Sequence, residues 1–251
     1  MKSIITLLLI SSSFLLSAQS NSSVGFIGGI DYTYRHIGGA DSQSAIFKEV
    51  RNSEKGNINW RFGVDYNQRI NSRFVLKTGA RLMSLGYHKD INVNFGDLRW
   101  GLQHDGNGGY YGLSSGGDLS SGENSYDFTV SNNYWFIELP LVVRYEFSDK
   151  KFTPYAEAGV APAYYLLDRN IVTSDGEREV TTTTPRESNS PVQRIQLEGI
   201  LAFGFNYNIK ESIQLFGQPT FRYHLTKMWD TDLKEHLWSA GLEIGVRKLL
   251  N

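Results

Sequence analysis

The chain has no cysteine, no excess of charge of either sign, and no long apolar segment after residue 20. Without cysteine it can form no disulfide scaffold, cysteine-ligated zinc site, iron–sulfur cluster or thiol nucleophile. With 25 basic and 26 acidic residues, it has no electrostatic footprint for nucleic acid, and we expect no nucleic-acid partner. A mean hydropathy of −0.33 argues against a helical membrane protein. Two classes remain: a soluble β-protein, or a membrane β-barrel whose apolar residues occupy alternate positions.

The amino terminus has the pattern of a secretory signal. A positive charge precedes an apolar stretch, residues 4–16, and the small residue Ala18 stands before a polar segment. This order is typical of a signal peptide, and the stretch is too short to span a membrane. We therefore predict a signal peptide at 1–18 and one exported domain at 19–251.

Apolar and polar residues alternate along most of the remaining chain, as they do in strands with two different faces. In the clearest segment every odd position from Trp135 to Phe147 is apolar, whereas the even positions include Glu138 and Arg144. Segments with this alternation, some of them weaker, predict eight strands: 23–36, 57–70, 73–88, 134–147, 152–167, 195–209, 212–225 and 236–248.

The connections between these strands alternate in length. The short ones are 71–72, 148–151 and 210–211, and the longer ones are 37–56, 91–132, 169–193 and 227–235. A soluble sandwich has no reason to place every long loop at one end, but an outer-membrane barrel has short periplasmic turns and long extracellular loops. We therefore predict an all-β fold, an eight-stranded antiparallel up-and-down transmembrane barrel in the outer membrane of a Gram-negative cell.

The polar face of these strands is predicted to form a closed, ion-paired lumen. The interior of an eight-stranded barrel is only wide enough for side chains, and charges away from water persist when they are paired. This face carries six acids and six bases: Asp31, Arg61, Asp65, Lys77, Arg81, Glu138, Arg144, Glu157, Glu198, Arg222, Glu243 and Arg247.

The apolar face is predicted to contact outer-membrane lipid between two aromatic belts, which is the outer-membrane arrangement. The girdle near the long loops comprises Tyr34, Trp60, Trp135, Tyr164, Tyr223 and Trp238. The belt near the short turns comprises Phe26, Phe74, Phe147, Phe152 and Tyr207. The alternative is a secreted soluble barrel with its apolar face turned inward.

Two neighbouring segments carry a family resemblance. Residues 137–147 read Ile-Glu-Leu-Pro-Leu-Val-Val-Arg-Tyr-Glu-Phe, and residues 152–159 read Phe-Thr-Pro-Tyr-Ala-Glu-Ala-Gly. In this pattern the chain resembles the PorT-like outer-membrane β-barrel proteins of Bacteroidetes-type bacteria. The resemblance implies insertion by the barrel-assembly machinery and, by analogy, a link to protein secretion. It also implies that Pro140 and Pro154 are tolerated within strands, where we expect bulges.

Motifs for chemistry are weak. Residues 112–116 match the G-x-S-x-G nucleophile elbow but lie in a Gly/Ser-rich loop without a following helix. Residues 105–109 resemble the start of a calcium loop but lack the later ligands. We predict no catalytic residue, no metal and no cofactor. The alternative of a lipid-modifying enzyme would use His224, the histidine in the lumen phase, with Glu235.

The long loops are the parts expected to bind a partner. Loop 91–132 combines glycine and serine with aromatics, which suits contact with an envelope or extracellular protein. Equally, the strands could extend past the membrane, with Phe95 and Tyr126 capping the barrel. Loop 169–193 is polar and expected to be mobile. We predict a non-enzymatic envelope structural or interaction protein that acts through its loops or periplasmic rim; a narrow transport channel is a further alternative, which paired lumen charges oppose.

Overall fold

The computed structural model describes residues 22–38, 54–94, 102–104, 110–113, 125–174, 177–184, 192–228 and 234–250. These residues form twelve strands: β1 (Ser22–Gly38), β2 (Glu54–Arg69), β3 (Phe74–Asn94), β4 (Leu102–His104), β5 (Tyr110–Leu113), β6 (Ser125–Glu138), β7 (Leu141–Glu146), β8 (Phe152–Ser174), β9 (Glu177–Thr183), β10 (Ile195–Lys210), β11 (Ile213–His224) and β12 (Lys234–Leu250). In the described ranges no helix is long and apolar enough to cross a membrane. The predicted signal peptide at 1–18 lies outside them.

Eight antiparallel barrel strands close into a ring. Their order is β1, β2, β3, β6 with β7, β8, β10, β11 and β12, so that neighbours in sequence are neighbours in space. The ring closes where β12 pairs with β1, for example Val246 opposite Phe26. The predicted eight-stranded up-and-down barrel is confirmed. Closure matters because it leaves the barrel without an unpaired edge.

The expected bulges at Pro140 and Pro154 are wrong. Strands β6 and β7 are one barrel strand interrupted at Leu139 and Pro140, yet the register against β8 stays in step across the interruption. The proline leaves a gap in the ladder without an extra residue, and the Leu139 amide donates to the Pro162 carbonyl at 2.9 Å. Pro154 faces Phe205 with no register shift. Within the described barrel strands, register shifts lie at Gly56/Arg61, Trp135/Phe136 and Asn208/Lys210.

Segment 169–193 is not a mobile loop throughout, which corrects a second expectation. Strand β8 runs on to Ser174, and β9 folds back against it as a hairpin. The β-branched residues of this hairpin favour a pleated conformation despite its polar composition. Strands β3 and β6 likewise extend and pair as far as Asn94 opposite Ser125. Strand extension therefore occupies both ends of loop 91–132, while Phe95 and the side chain of Tyr126 lie outside the described residues.

Side chains fill the barrel interior. Between the charged middle of the lumen and its outer mouth lies an apolar layer: Met83, Leu85, Tyr87, Tyr134, Phe136, Ala163, Tyr165, Val192, Met228 and Leu237. Glycines stand where these strands approach most closely. A Cβ built at Gly241 would overlap the Ile30 carbonyl and the Asp31 carboxylate, whereas a Cβ at the outward Gly28 meets nothing within 4 Å.

Alanine substitution at these two glycines should have opposite consequences. We expect Gly241→Ala to lower the free energy of unfolding by about 1–3 kcal/mol, because overpacking forces backbone and side chains apart. Gly28→Ala should be neutral or slightly stabilising, since it reduces the freedom of the unfolded chain. Urea unfolding of both variants in the same detergent provides the measurement. Equal stabilities would contradict the close packing at Gly241.

Candidate functional site

The twelve charged residues assigned to the lumen are all buried, none more than 3% exposed. Eleven of them have an opposite charge within 4.0 Å, and the exception is Arg247. Because an isolated buried charge costs several kcal/mol, the described interior is held together by mutual compensation. These twelve residues form two clusters and leave one arginine separate.

Glu243 on β12 is the centre of the larger cluster. Its Oε1 accepts from Arg222 Nη2 at 2.7 Å, Arg61 Nη1 at 3.1 Å and Arg81 Nη1 at 3.3 Å. Its Oε2 accepts from Gln218 Nε2 at 2.7 Å. One carboxylate therefore joins β2, β3, β11 and β12 across the lumen.

Four further acids surround the same arginines. Arg222 Nη1 donates to Glu138 Oε1 at 2.9 Å and lies 3.5 Å from Glu198. Arg81 binds both carboxylate oxygens of Asp65, at 3.0 and 3.1 Å. Asp31 is 3.4 Å from Arg61. Such charge-assisted pairs fix geometry because a guanidinium presents a rigid fork of donors.

The second cluster lies toward the short turns. Glu157 is held between Lys77 and Arg144, whose Nε donates to it at 2.7 Å. Arg247 has no carboxylate within reach among the described residues. Its Nη1 donates to Asn206 Oδ1 at 2.8 Å, and its guanidinium lies 3.6 Å from the centre of the Phe216 ring. The aromatic face therefore supplies the attraction that an acid supplies elsewhere.

His224 and Glu235, the residues considered for an enzyme, belong to different clusters. His224 Nε2 lies 2.9 Å from Glu198, and Nδ1 lies 2.5 Å from Gln196 Oε1. Glu235 instead accepts from Arg35 Nη1 at 2.7 Å. The structure therefore gives each residue a different partner.

An outer-mouth cluster of Arg35, Glu54, Tyr87, Lys89 and Glu235 was missed in the sequence. Arg35 binds Glu54 and Glu235, donates to the Tyr87 hydroxyl at 3.0 Å, and stacks over that ring at 4.2 Å. Lys89 lies 2.8 Å from Glu54. The alternation of apolar and polar residues did not reveal Glu54. A register shift between Gly56 and Arg61 places the even-numbered Glu54 on the lumen side, whereas the rest of β2 has its odd-numbered residues there. Arg35 and Lys89 occupy odd-numbered positions, as do the other lumen-facing residues of their strands. This spacing was the signal from which the cluster could have been predicted.

The outer-mouth cluster should respond to acid. Burial opposes ionisation of Glu54, but the hydrogen bond and charge of Arg35, with those of Lys89, lower its pKa below the ordinary 4.5. A carboxyl whose pKa is lower in the folded state stabilises that state above its unfolded pKa, and the contribution is lost as pH falls through the folded value.

We therefore expect protection of the outer ends of β1 and β2 against hydrogen exchange to fall below pH 4.5. Glu54→Gln should remove most of this dependence, because an amide does not titrate in this range. Arg35, Tyr87, Lys89 and Glu235, which surround Glu54, are unchanged in that variant. An identical pH profile for wild type and variant would contradict the assignment to Glu54.

The outward face of the barrel is apolar. Between the two aromatic belts, the outward positions of the eight described barrel strands carry no Asp, Glu, Lys or Arg. Many of these side chains are more than half exposed, including Phe26 at 67%, Phe203 at 67% and Ile244 at 60%. A soluble protein rarely leaves so continuous an apolar surface in water.

The assigned aromatic girdle lies on this outward face. Tyr164 is exposed, and Tyr34, Trp60, Trp135, Tyr223 and Trp238 are half-buried. Ring contacts link several of its members: Trp60 meets Trp135 at 5.0 Å, and Trp238 meets Tyr34 at 6.2 Å. Tyr223 stacks on His236 at 5.6 Å. Aromatic and histidine rings with one apolar and one wet side suit a membrane interface.

Within the described ranges, no group of three or more His, Asp or Glu side chains is arranged to hold a metal ion. The loop segments 105–109 and 114–116, considered above for calcium and for a nucleophile, lie outside those ranges.

No family model matches the chain, and no curated protein matches it. Among solved structures, Neisserial surface protein A is 13% identical, covering 90% of this chain and 96% of its own, with a TM-score of 0.39. Ail of Yersinia pestis is 10% identical, with 91% and 99% covered and a TM-score of 0.33. OprG of Pseudomonas aeruginosa is 9% identical, with 92% and 96% covered and a TM-score of 0.37. Similarity at this level identifies no activity. The fold is assigned from the strand pairing alone.

Proposed function

We propose that this chain is an exported, non-enzymatic outer-membrane β-barrel protein that serves as an interaction protein of the cell envelope. Its outward face spans the membrane, its short turns face the periplasm, and its ends contact other envelope or external components. The signal pattern at 1–18 and the PorT-like segments at 137–147 and 152–159 support export and insertion by the barrel-assembly machinery.

The observation that carries the membrane assignment is the charge-free outward surface between two aromatic belts. An inverted, soluble barrel would instead bury this surface and expose Glu243, Arg222 and Arg61, which are at most 1% exposed. Charged side chains are unfavourable in lipid, and this cost favours the observed arrangement, with charged side chains inside the barrel and apolar side chains outside.

An interaction role fits the interior better than transport. Arginine–carboxylate pairs and the apolar layer above them occupy the described part of the lumen, and this filling opposes the passage of a solute. The extension of β3, β6, β8 and β9 beyond the barrel offers a surface for a partner at the opposite side of the membrane from the short turns. Rigid scaffolds commonly present binding segments in this way.

The membrane assignment is tested by electrophoresis of the outer-membrane fraction in SDS, unheated against boiled. A closed barrel resists SDS until it is heated, so we expect a mobility shift in that fraction. Recovery of an unshifted protein from the soluble periplasm would overturn the assignment and favour the inverted barrel.

The interaction role is tested by shortening the β8–β9 hairpin. Replacement of residues 170–181 by a two-residue Asn-Gly turn keeps the barrel and its heat shift. Cross-linking in whole cells should then lose a specific adduct that wild type forms. In planar bilayers neither protein should conduct, whereas steady ohmic conductance by wild type would replace the interaction role with a transport role.

A further inference from the structure

A ring of exposed basic side chains surrounds the short-turn end of the barrel. The basic rim consists of Arg73, Lys150, Lys151, Lys210 and Lys248, and all five residues are exposed. Asp149 and Glu211 are the acids in the same turns. Arg69 does not belong to the rim, because its guanidinium is bound to the Glu146 carboxylate at 2.5 Å. Among the described residues, the rim therefore has five positive charges against two negative ones.

Backbone hydrogen bonds fix these turns next to one another. The Glu146 amide donates to the Arg73 carbonyl at 2.8 Å, and the Asn208 amide donates to the Lys151 carbonyl at 3.0 Å. The Leu249 amide donates to the Ser212 carbonyl at 2.9 Å, which places Lys248 beside the β10–β11 turn. The basic residues therefore follow consecutive strand ends around one rim and are not scattered over the surface.

Two tyrosines near the short turns, Tyr145 and Tyr207, support two of these cations. Arg73 Nη1 donates to the Tyr145 hydroxyl at 2.6 Å. Lys151 Nζ lies 5.2 Å from the centre of the Tyr207 ring. The rings lie on the apolar face and the charges at its lower boundary. This is the position at which long basic side chains reach from hydrocarbon to the headgroup layer of a bilayer.

The other end of the described barrel also carries exposed cations, namely Lys55, Arg169, Arg178 and Arg194, together with the exposed acids Asp90 and Glu179. Lys55, which lies on β2 beyond the aromatic girdle near the long loops, is paired with the exposed Asp90 at 2.7 Å. Arg178 on β9 adjoins the exposed Glu179. The basic rim is distinguished by its place at the edge of the apolar face, because Arg73, Lys151 and Lys210 directly adjoin the exposed outward residues Phe74, Phe152 and Ile209.

We propose that the basic rim binds the phosphate headgroups of anionic phospholipids in the membrane leaflet at the short-turn end. This inference rests on the proposed membrane insertion and adds a lipid class to it. Each basic side chain near an anionic lipid surface contributes a favourable, salt-screened attraction, and five around one rim act on the same annulus of lipid.

The test uses the protein refolded into vesicles of equal parts phosphatidylcholine and phosphatidylglycerol. Lipids retained on the detergent-extracted barrel are counted by native mass spectrometry. The rim variant carries Lys150→Gln, Lys210→Gln and Lys248→Gln. The matched control carries Lys55→Gln, Arg169→Gln and Arg178→Gln, three exposed cations at the other end.

We expect wild type and control to retain phosphatidylglycerol in preference to phosphatidylcholine. In the rim variant, the ratio of retained phosphatidylglycerol to phosphatidylcholine should fall about tenfold. The heat shift of each vesicle sample reports insertion separately. Insertion with equal retention of both lipids, or an unchanged rim variant, overturns the lipid proposal and leaves the rim for an acidic soluble partner. Absence of the heat shift overturns the proposed membrane function itself, and with it this inference.

Discussion

Glu243→Ala is expected to destabilise the barrel by about 3–5 kcal/mol, because it leaves buried arginines without their common acceptor. Arg61, Arg81 and Arg222 all donate to the same oxygen of Glu243. All three side chains are at most 1% exposed, so bulk solvent does not replace the lost acceptor. Urea unfolding in vesicles, followed by the heat shift on gels, measures the loss.

Asp90→Ala provides the comparison for Glu243→Ala. Asp90 is paired with Lys55, but both side chains are about half exposed, at 47% and 64%. Exposed pairs contribute about 0–1 kcal/mol, so this variant should unfold close to wild type. If Glu243→Ala fails to fold, Glu243→Gln preserves the shape and still removes the charge. Stabilities of Glu243→Gln and Asp90→Ala that match wild type would show that the interior does not depend on charge compensation.

Leu242→Arg should cost about 2–4 kcal/mol if the outward face lies in hydrocarbon, because Leu242 is in the middle of the apolar band. Leu225 has the same 50% exposure but lies two residues beyond Tyr223, a member of the aromatic girdle near the long loops. Leu225→Arg should therefore cost about 0–1 kcal/mol, as substitutions near an interface do. Unfolding of both variants in the same vesicles gives the difference directly.

A soluble barrel predicts a different outcome for this pair. Two leucines of equal exposure to water would tolerate arginine equally, so that depth along the barrel would have no effect. Equal unfolding midpoints for Leu242→Arg and Leu225→Arg would therefore contradict membrane insertion, whatever the cellular fraction in which the protein is found.

The barrel could be predicted from the sequence because its strands are long and two-faced. From Trp135 to Phe147 the period of two is unbroken, and the short turns at 71–72 and 210–211 mark where the chain reverses. The same phase placed Glu243 and Arg222 on one face, and in the structure that face is the interior. In a closed sheet the side chains alternate between the two faces, so the strand order largely determines which residues point into the lumen.

Features that depend on local exceptions to this period could not be predicted. Glu54 is on the lumen side only because a register shift reverses its phase, and a shift of one residue has no composition signature. Pro140 indicated a bulge, but the register is the same on both sides of the proline, and the strand only lacks a hydrogen bond there. The β9 hairpin was hidden because threonine-rich segments are polar by composition and extended by conformation.

The central cluster also constrains the order in which the protein can assemble. Glu243 is on the last strand, and its acceptor oxygen serves arginines that lie 182 and 162 residues earlier in the chain. Until β12 meets β1, these guanidiniums have no route to that carboxylate, so the polar interior is completed only when the ring is sealed. Ring closure and completion of the cluster around Glu243 are therefore one event, and a chain that stops before β12 should remain assembly-incompetent even with seven barrel strands present.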